Sequence, residues 1–287
     1  MTHVAFVDDV TLVTHSWVTL KRMILELRDS LAKYGLKLHP SKCKVQCNVD
    51  EYSCRGPIEI DTDFSVNVLP AGEGMKFLGT MLYLGRHSTA EVRHRVASAW
   101  SKFYALKAML VHKAASLKGR LRLLAATVGC CLLWGAESWN LKEEDRRLLK
   151  TTQNKMTRKM VDVRRGPDED YVIWVKRATK RARDSAADTG IKFWDQHAKD
   201  LKWHWAGHVA RRSASEWIWR VTFWRDREWT EAVGEQAQRP LRRRPGRWCR
   251  WEDEVHKASA SLGWRRWHDT AQDREKWRNG LNGPGVF

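Results

Sequence analysis

At 287 residues, 43% of them hydrophobic, the chain is long enough for one large domain or two ordinary ones and apolar enough to bury a core, which excludes wholesale disorder. Its 52 Lys and Arg residues outnumber 34 Asp and Glu, and the formal charge of +18 excludes a neutral surface and favours an anionic partner, nucleic acid or an acidic membrane. The longest strongly apolar run, residues 121–134, contains Arg122 and is too short for a bilayer, and residues 1–12 carry acids rather than a basic leader, so neither a membrane span nor a signal peptide is expected.

The chain opens with two β-prone runs, residues 4–7 and 10–13, separated by Asp8-Asp9 in the layout of a tight hairpin. Ser16 is placed to cap a helix whose apolar positions Leu20, Ile24, Leu27, Leu31 and Tyr34 step by four and three. Gly35 falls where a left-handed C-terminal cap is wanted. Leu36 and Leu38 then resume a period of two, residues 64–68 alternate likewise, and short strands are expected around Phe77, Leu78 and Gly79.

From Ser88 the period becomes helical. Ser88-Thr89-Ala90-Glu91 has the form of a capping box and leads into the stripe Val92, Val96, Ala99, Phe103, Leu106 and Leu110. A second helix opens at Ser116 with Leu117, Leu121, Leu124, Val128 and Leu132 on one face. A third opens at Asn140, with Glu143 three residues on, and the three are expected to pack as a small bundle. Cys130-Cys131 falls inside the second helix and is read as core.

The stretch from Arg164 through Gly166-Pro167 to Asp168 has turn chemistry. Val172, Val175, Ala182 and Ala186 follow it at helical spacing, and Lys176 with Lys180 and Arg177 with Arg181 repeat four residues apart on common faces. Elements beyond Gly190 carry no clear period. Residues 239–247, basic and with two prolines, read as an exposed arm. Thirteen of the 17 Trp residues lie at or after Trp174, often beside Arg or Lys, so only the last part is Trp-rich although the whole chain is basic. The expected class is α+β, in three parts: residues 1–82, 83–165 and 166–287.

The most informative local feature is Phe6-Val7-Asp8-Asp9. Adjacent carboxylates repel unless a cation or solvent screens them. Hard Mg²⁺ prefers carboxylate oxygen, water and substrate phosphate, and two such ions can clamp an in-line phosphoryl displacement. Asp is equally a common turn former that solvates readily.

Neighbouring segments add to it. The Asp-Asp hairpin, a helix, Gly35-Leu36-Lys37-Leu38-His39-Pro40-Ser41-Lys42-Cys43 and then Phe77-Leu78-Gly79 come in an order that resembles the later palm motifs of reverse transcriptases from non-LTR (LINE-type) retrotransposons. Leu132-Leu133-Trp134-Gly135-Ala136-Glu137-Ser138-Trp139 is similar to the Leu-Tyr-Gly-x-Glu-x-Trp segment of those proteins. Trp205-Ala206-Gly207-His208-Val209-Ala210-Arg211 and Gly246-Arg247-Trp248 are similar to their downstream Trp-x-Gly-His-x-x-Arg and Gly-Arg-Pro elements. Nearly the whole chain is covered.

The resemblance implies a partial palm over residues 1–82, a helical thumb or connector over 83–165, and a basic Trp-rich extension over 166–287. It implies Asp8 and Asp9 as ligands of Mg²⁺, Lys42 as a basic group near the triphosphate, and Phe77, Leu78 and Gly79 in the primer-gripping region. The implied partners are an RNA template and a DNA primer or target DNA. The family's third carboxylate, fingers and nucleotide-positioning motif precede the Asp-Asp hairpin, which here begins almost at Met1. The chain is therefore expected to be the C-terminal part of such an enzyme, truncated and inactive as a polymerase alone.

Other constellations are weaker. Cys43, Cys47 and Cys54 have no CxxC or His pair beside them, and Trp205, between His204 and His208, stands where a zinc protease motif needs Glu. Six cysteines without a secretion signal read as reduced thiols of a nuclear or cytoplasmic protein. Lys176, Arg177, Lys180 and Arg181, together with Arg242, Arg243, Arg244 and Arg247, form basic clusters that suit phosphates, with exposed Trp as a stacking surface for bases. A non-catalytic RNA- or DNA-binding protein on the old scaffold, or a relic without function, remain alternatives to the polymerase fragment.

Overall fold

The computed structural model describes residues 3–47, 57–70, 72–84, 88–223 and 250–281, and the fold is α+β. The chain divides into two compact units, Met1–His94 and Arg95–Phe287. No helix among the described residues is long and apolar enough to cross a membrane.

The first unit begins with the hairpin of β1 (His3–Phe6) and β2 (Asp9–Leu12), with Phe6 opposite Asp9. The turn is therefore Val7-Asp8, one residue earlier than the expected Asp8-Asp9, and Asp9 belongs to a strand. Helix α1 (Trp17–Ala32) follows, with Ser16 at its N-cap position. The Ser16 side chain does not cap the helix; its backbone N–H instead donates to Thr14 Oγ1. Gly35 is left-handed, as expected, and the Leu36 amide donates back to the Leu31 carbonyl to close the helix end. Tyr34 lies past the helix and is exposed.

No strand forms at Leu36 and Leu38, because the chain leaves the left-handed turn into a 3₁₀ turn at Pro40–Lys42. The strands behind α1 are β3 (Lys44–Val45), β4 (Pro57–Asp61) and β5 (Phe64–Val68). β5 is central, parallel to β3 and antiparallel to β4, and its buried–exposed alternation is complete from Phe64 to Val68. Ile24 of α1 packs against Ile60, Phe64 and Val66, with Leu12, Trp17 and Leu38 at the margin. Arg28 fastens the same helix to Asp61 at 2.9 Å. A second hairpin, β6 (Met75–Phe77) and β7 (Thr80–Leu82), turns on Leu78 and Gly79, both at positive φ as a two-residue turn requires. Gln46 donates to the carbonyls of Glu73 and Leu82, which ties this hairpin to the strand region.

Helix α2 (Ser88–Ala105) buries Val92, Val96, Ala99 and Phe103, the first four positions of the expected stripe, while Leu106 and Leu110 fall beyond its end. The Ser88 side chain lies outside the described residues, while Glu91 Oε2 accepts from the Met81 amide at 2.9 Å. After α3 (Lys107–Leu110), Ser116 caps α4 (Leu117–Leu124) by accepting from the Gly119 amide. That helix continues through a π turn at Ala125–Gly129 into α5 (Cys130–Leu132). Leu121, Leu124, Val128 and Leu132 fill its core face, so Cys130, two positions from the last two, points away and is exposed, contrary to the core reading.

Helix α6 is Glu143–Val161 and starts three residues after the expected Asn140, where the Lys142 amide donates to the Asp145 carboxylate. Its closest partner is α7 (Tyr171–Asp188), which follows the Arg164–Asp168 turn and is capped by Asp170. Buried Arg120 donates to the carbonyls of Leu110 and Met160, locking α3 and α6 to α4. No clear period marks α8 (Trp194–Ala210), because it is buried on several sides. α8 packs on the 3₁₀ turn at Ala136–Ser138, on α9 (Trp217–Phe223), and on α10 (Trp251–Ser261), α11 (Trp267–Thr270) and α12 (Arg274–Gly280). Trp203, Val255, Trp267 and Trp277 form the core of that last cluster.

Candidate functional site

The β1–β2 tip presents its polar groups to solvent. Phe6 is 61% exposed and Val7 87%, and Asp8 and Asp9 are exposed, their carboxylates without a hydrogen-bond or ion-pair partner among the described residues. Val7 stands at φ 56°, a left-handed backbone that a β-branched residue rarely adopts. Such strain is held only where the surroundings over-determine it, and it gathers at functional turns. The hairpin is anchored at its base, where Leu12 packs at the edge of the α1–sheet core.

Two exposed adjacent carboxylates are a donor set that Mg²⁺ accepts when water and substrate phosphate complete it. Among the described residues, no group of three His, Cys, Asp or Glu side chains is placed to hold a metal ion.

Lys42 closes the 3₁₀ turn at Pro40–Lys42 and is exposed; it shares the unit of the hairpin, and no bond among the described residues joins it to Asp8 or Asp9. Phe77 is half-buried at a strand end, but Leu78 and Gly79 form a hairpin tip, with Leu78 exposed. A wholly buried strand end does not describe these three residues.

On α7, Lys176, Arg177, Lys180 and Arg181 are all exposed. Arg177 is committed within the fold: it donates to both oxygens of Glu169, at 2.9 and 2.7 Å, and to the Arg164 carbonyl. Hydrogen bonds from Arg177 and the Gly166 amide hold the Glu169 carboxyl down to about 2. Arg177 thus pins the 164–169 turn, while Lys176, Lys180 and Arg181 remain as an exposed basic face. Arg242, Arg243, Arg244 and Arg247, the 239–247 arm, Cys54 and the Gly246-Arg247-Trp248 segment lie outside the described residues.

The Trp residues divide by environment. Trp194, Trp203, Trp267 and Trp277 are buried, the last three in the cluster on which Trp251 and Trp264 pack, whereas Trp205 and Trp217 are exposed. Both segments 132–139 and 205–211 touch this architecture. Lys202 of α8 donates to the Trp139 carbonyl, Trp251 donates to the Glu137 carbonyl, and Gly207 leaves room that a Cβ would fill against the Trp277 indole. His208 accepts from Arg212 and stacks on Trp205. Around the end of α8, Arg211 and Arg212 line one cleft with Arg274 and Arg278 of α12. The four-residue spacing of the last two is their sequence signal, and it is no stronger than that of any solvated helix face.

No protein-family model matches the chain, and no solved structure matches it. It is 24% identical over 282 residues, 96% of this chain and 94% of the other, to an uncharacterized transposon-derived protein of Caenorhabditis elegans. The likeness runs end to end and relates the chain to a transposon-derived sequence.

Proposed function

We propose that the chain carries the later palm, thumb-like and C-terminal parts of a LINE-type reverse transcriptase, over residues 1–82, 83–165 and 166–287, and that it binds nucleic acid. The observation that carries this reading is the exposed Phe6-Val7-Asp8-Asp9 hairpin with a left-handed Val7, followed in order by α1, the Gly35 turn, Lys42 and the Phe77–Gly79 tip. The end-to-end likeness to a transposon-derived protein agrees with it.

Asp8 and Asp9 would hold Mg²⁺, which would supply charge stabilisation for phosphoryl transfer when bound. Lys42 would offer a positive charge to a departing pyrophosphate. A second reading, a nucleic-acid-binding protein without catalysis, is favoured by one observation: the two carboxylates stand without a third among the described residues.

The test is Mg²⁺-dependent primer extension on an RNA template, with Asp8→Asn, Asp9→Asn beside the wild type and primer–template binding measured on the same samples. Binding without extension is the result expected of a palm that lacks its third carboxylate and supports the proposal. Extension abolished by the double substitution shows that the chain supplies a third metal ligand, and it removes the second reading. Absence of both overturns the proposal.

A further inference from the structure

A cleft of about 520 Å³ opens between the C-terminal end of α8, the turn that follows it, and α12. Its volume lies within the roughly 300–1,000 Å³ of small-ligand sites, but its lining is charged where those sites are mostly apolar. Arg211, Arg212, Arg274 and Arg278 contribute four guanidinium groups, against the one carboxylate of Glu216. His204 and His208 complete the wall, and buried Trp277 lies beneath.

The walls are fixed rather than adaptable. Trp203 of α8 and Trp277 of α12 are stacked and bonded to each other's backbone. Arg211 donates to the Ala271 carbonyl at 2.7 Å, and Arg212 donates to His208. Arg274 and Arg278 are exposed, one helical turn apart, and their guanidinium groups make no hydrogen bond or ion pair among the described residues. Like charges gathered in a concavity raise the local potential, and planar guanidinium forks match phosphate oxygens in pairs. Beside the cleft, Trp205 is 37% exposed and stacked on His208, which places an aromatic surface next to the cationic one. Cations for phosphates next to an indole for bases is the pairing that accepts single strands.

We infer that this cleft binds backbone phosphates of single-stranded nucleic acid, with Arg274 and Arg278 as the contacts free to engage them. The inference rests on the nucleic-acid-binding part of the reading above and is independent of Asp8 and Asp9.

The test is fluorescence anisotropy of a labelled single-stranded oligonucleotide over a salt series. Wild type is compared with Arg274→Gln, Arg278→Gln and with Lys107→Gln, Lys118→Gln, which removes the same charge from exposed positions of the same unit. The arginine variant is expected to bind about tenfold more weakly at low salt, and its slope of log affinity against log salt falls by about 1–2. The lysine variant stays near wild type. Arg274→Lys, Arg278→Lys keeps most of the slope, because charge is retained, while recovering only part of the affinity. Equal losses in the arginine and lysine variants, or none in either, overturn the cleft while leaving nucleic-acid binding intact. No binding by wild type overturns both.

Discussion

Trp203 and Trp277, 74 positions apart, hold each other reciprocally. Each indole N–H donates to the other's backbone carbonyl at 3.0 Å, and the two rings stack 3.9 Å apart within 6° of parallel. Two buried donors and two carbonyls are satisfied at once, with ring contact added. The close approach needs a missing side chain, and Gly207 provides it, since a Cβ there would strike the Trp277 indole nitrogen.

Gly207→Ala therefore reports on this packing through the sign of its effect. On an open helix face the change would stabilise by about 1 kcal/mol. Here it is expected to destabilise by about 1–3 kcal/mol, because the indole has to shift in a packed core. Urea unfolding followed by Trp fluorescence measures it, and a stabilised variant contradicts the geometry.

Lys202 is 2% exposed and lies between Glu254, at 2.9 Å, and the Trp139 carbonyl, at 3.0 Å. Arg146 takes the other Glu254 oxygen at 2.6 Å. Burial lowers the Lys202 pKa, and Glu254 offsets part of that. Burial of Glu254 is outweighed by Lys202 and Arg146, which keep it ionised. Lys202→Met is expected to cost about 3–5 kcal/mol by leaving Glu254 short of a partner. In a double-mutant cycle, Lys202→Met with Glu254→Gln should lose less than the two single changes added together.

Val7→Gly removes the left-handed penalty at the β1–β2 turn, worth about 1–2 kcal/mol for a residue with a Cβ. Amide exchange at Phe6 and Asp9, the residues that flank the turn, is expected to slow. If exchange there is faster in the variant, Val7 is not strained.

The Glu169–Arg177 contact predicts an acid-side loss of stability. The Glu169 carboxyl falls from its ordinary 4.5 to about 2 in the folded chain, so the unfolded state binds the proton first. Its stabilisation is complete above about 4.5 and fades as pH drops toward about 2. Glu169→Gln should therefore differ most from wild type at neutral pH and converge with it in acid. Thermal unfolding of both proteins across that range gives the comparison, and a constant gap rules the contact out as its source.

What the sequence determined by itself is local. The helical stripes at Val92 to Phe103 and Leu121 to Leu132, the alternation of β5 and the left-handed Gly35 were legible, because each depends on a few adjacent residues and a backbone period, whereas Leu78 and Gly79, read as strand, form a hairpin turn. The Asp8-Asp9 hairpin was legible too, but not its register, since two-residue turns at Val7-Asp8 and Asp8-Asp9 fit the same flanking pattern. Tertiary structure alone decided which indoles are core and which face solvent. An indole is apolar with one donor, so Trp203 goes inside only because a carbonyl 74 residues away accepts from it, while Trp205 stays outside. It likewise spent Arg177 on Glu169 and gathered Arg211 and Arg212 with Arg274 and Arg278, for a charge acquires its role from neighbours that only folding supplies.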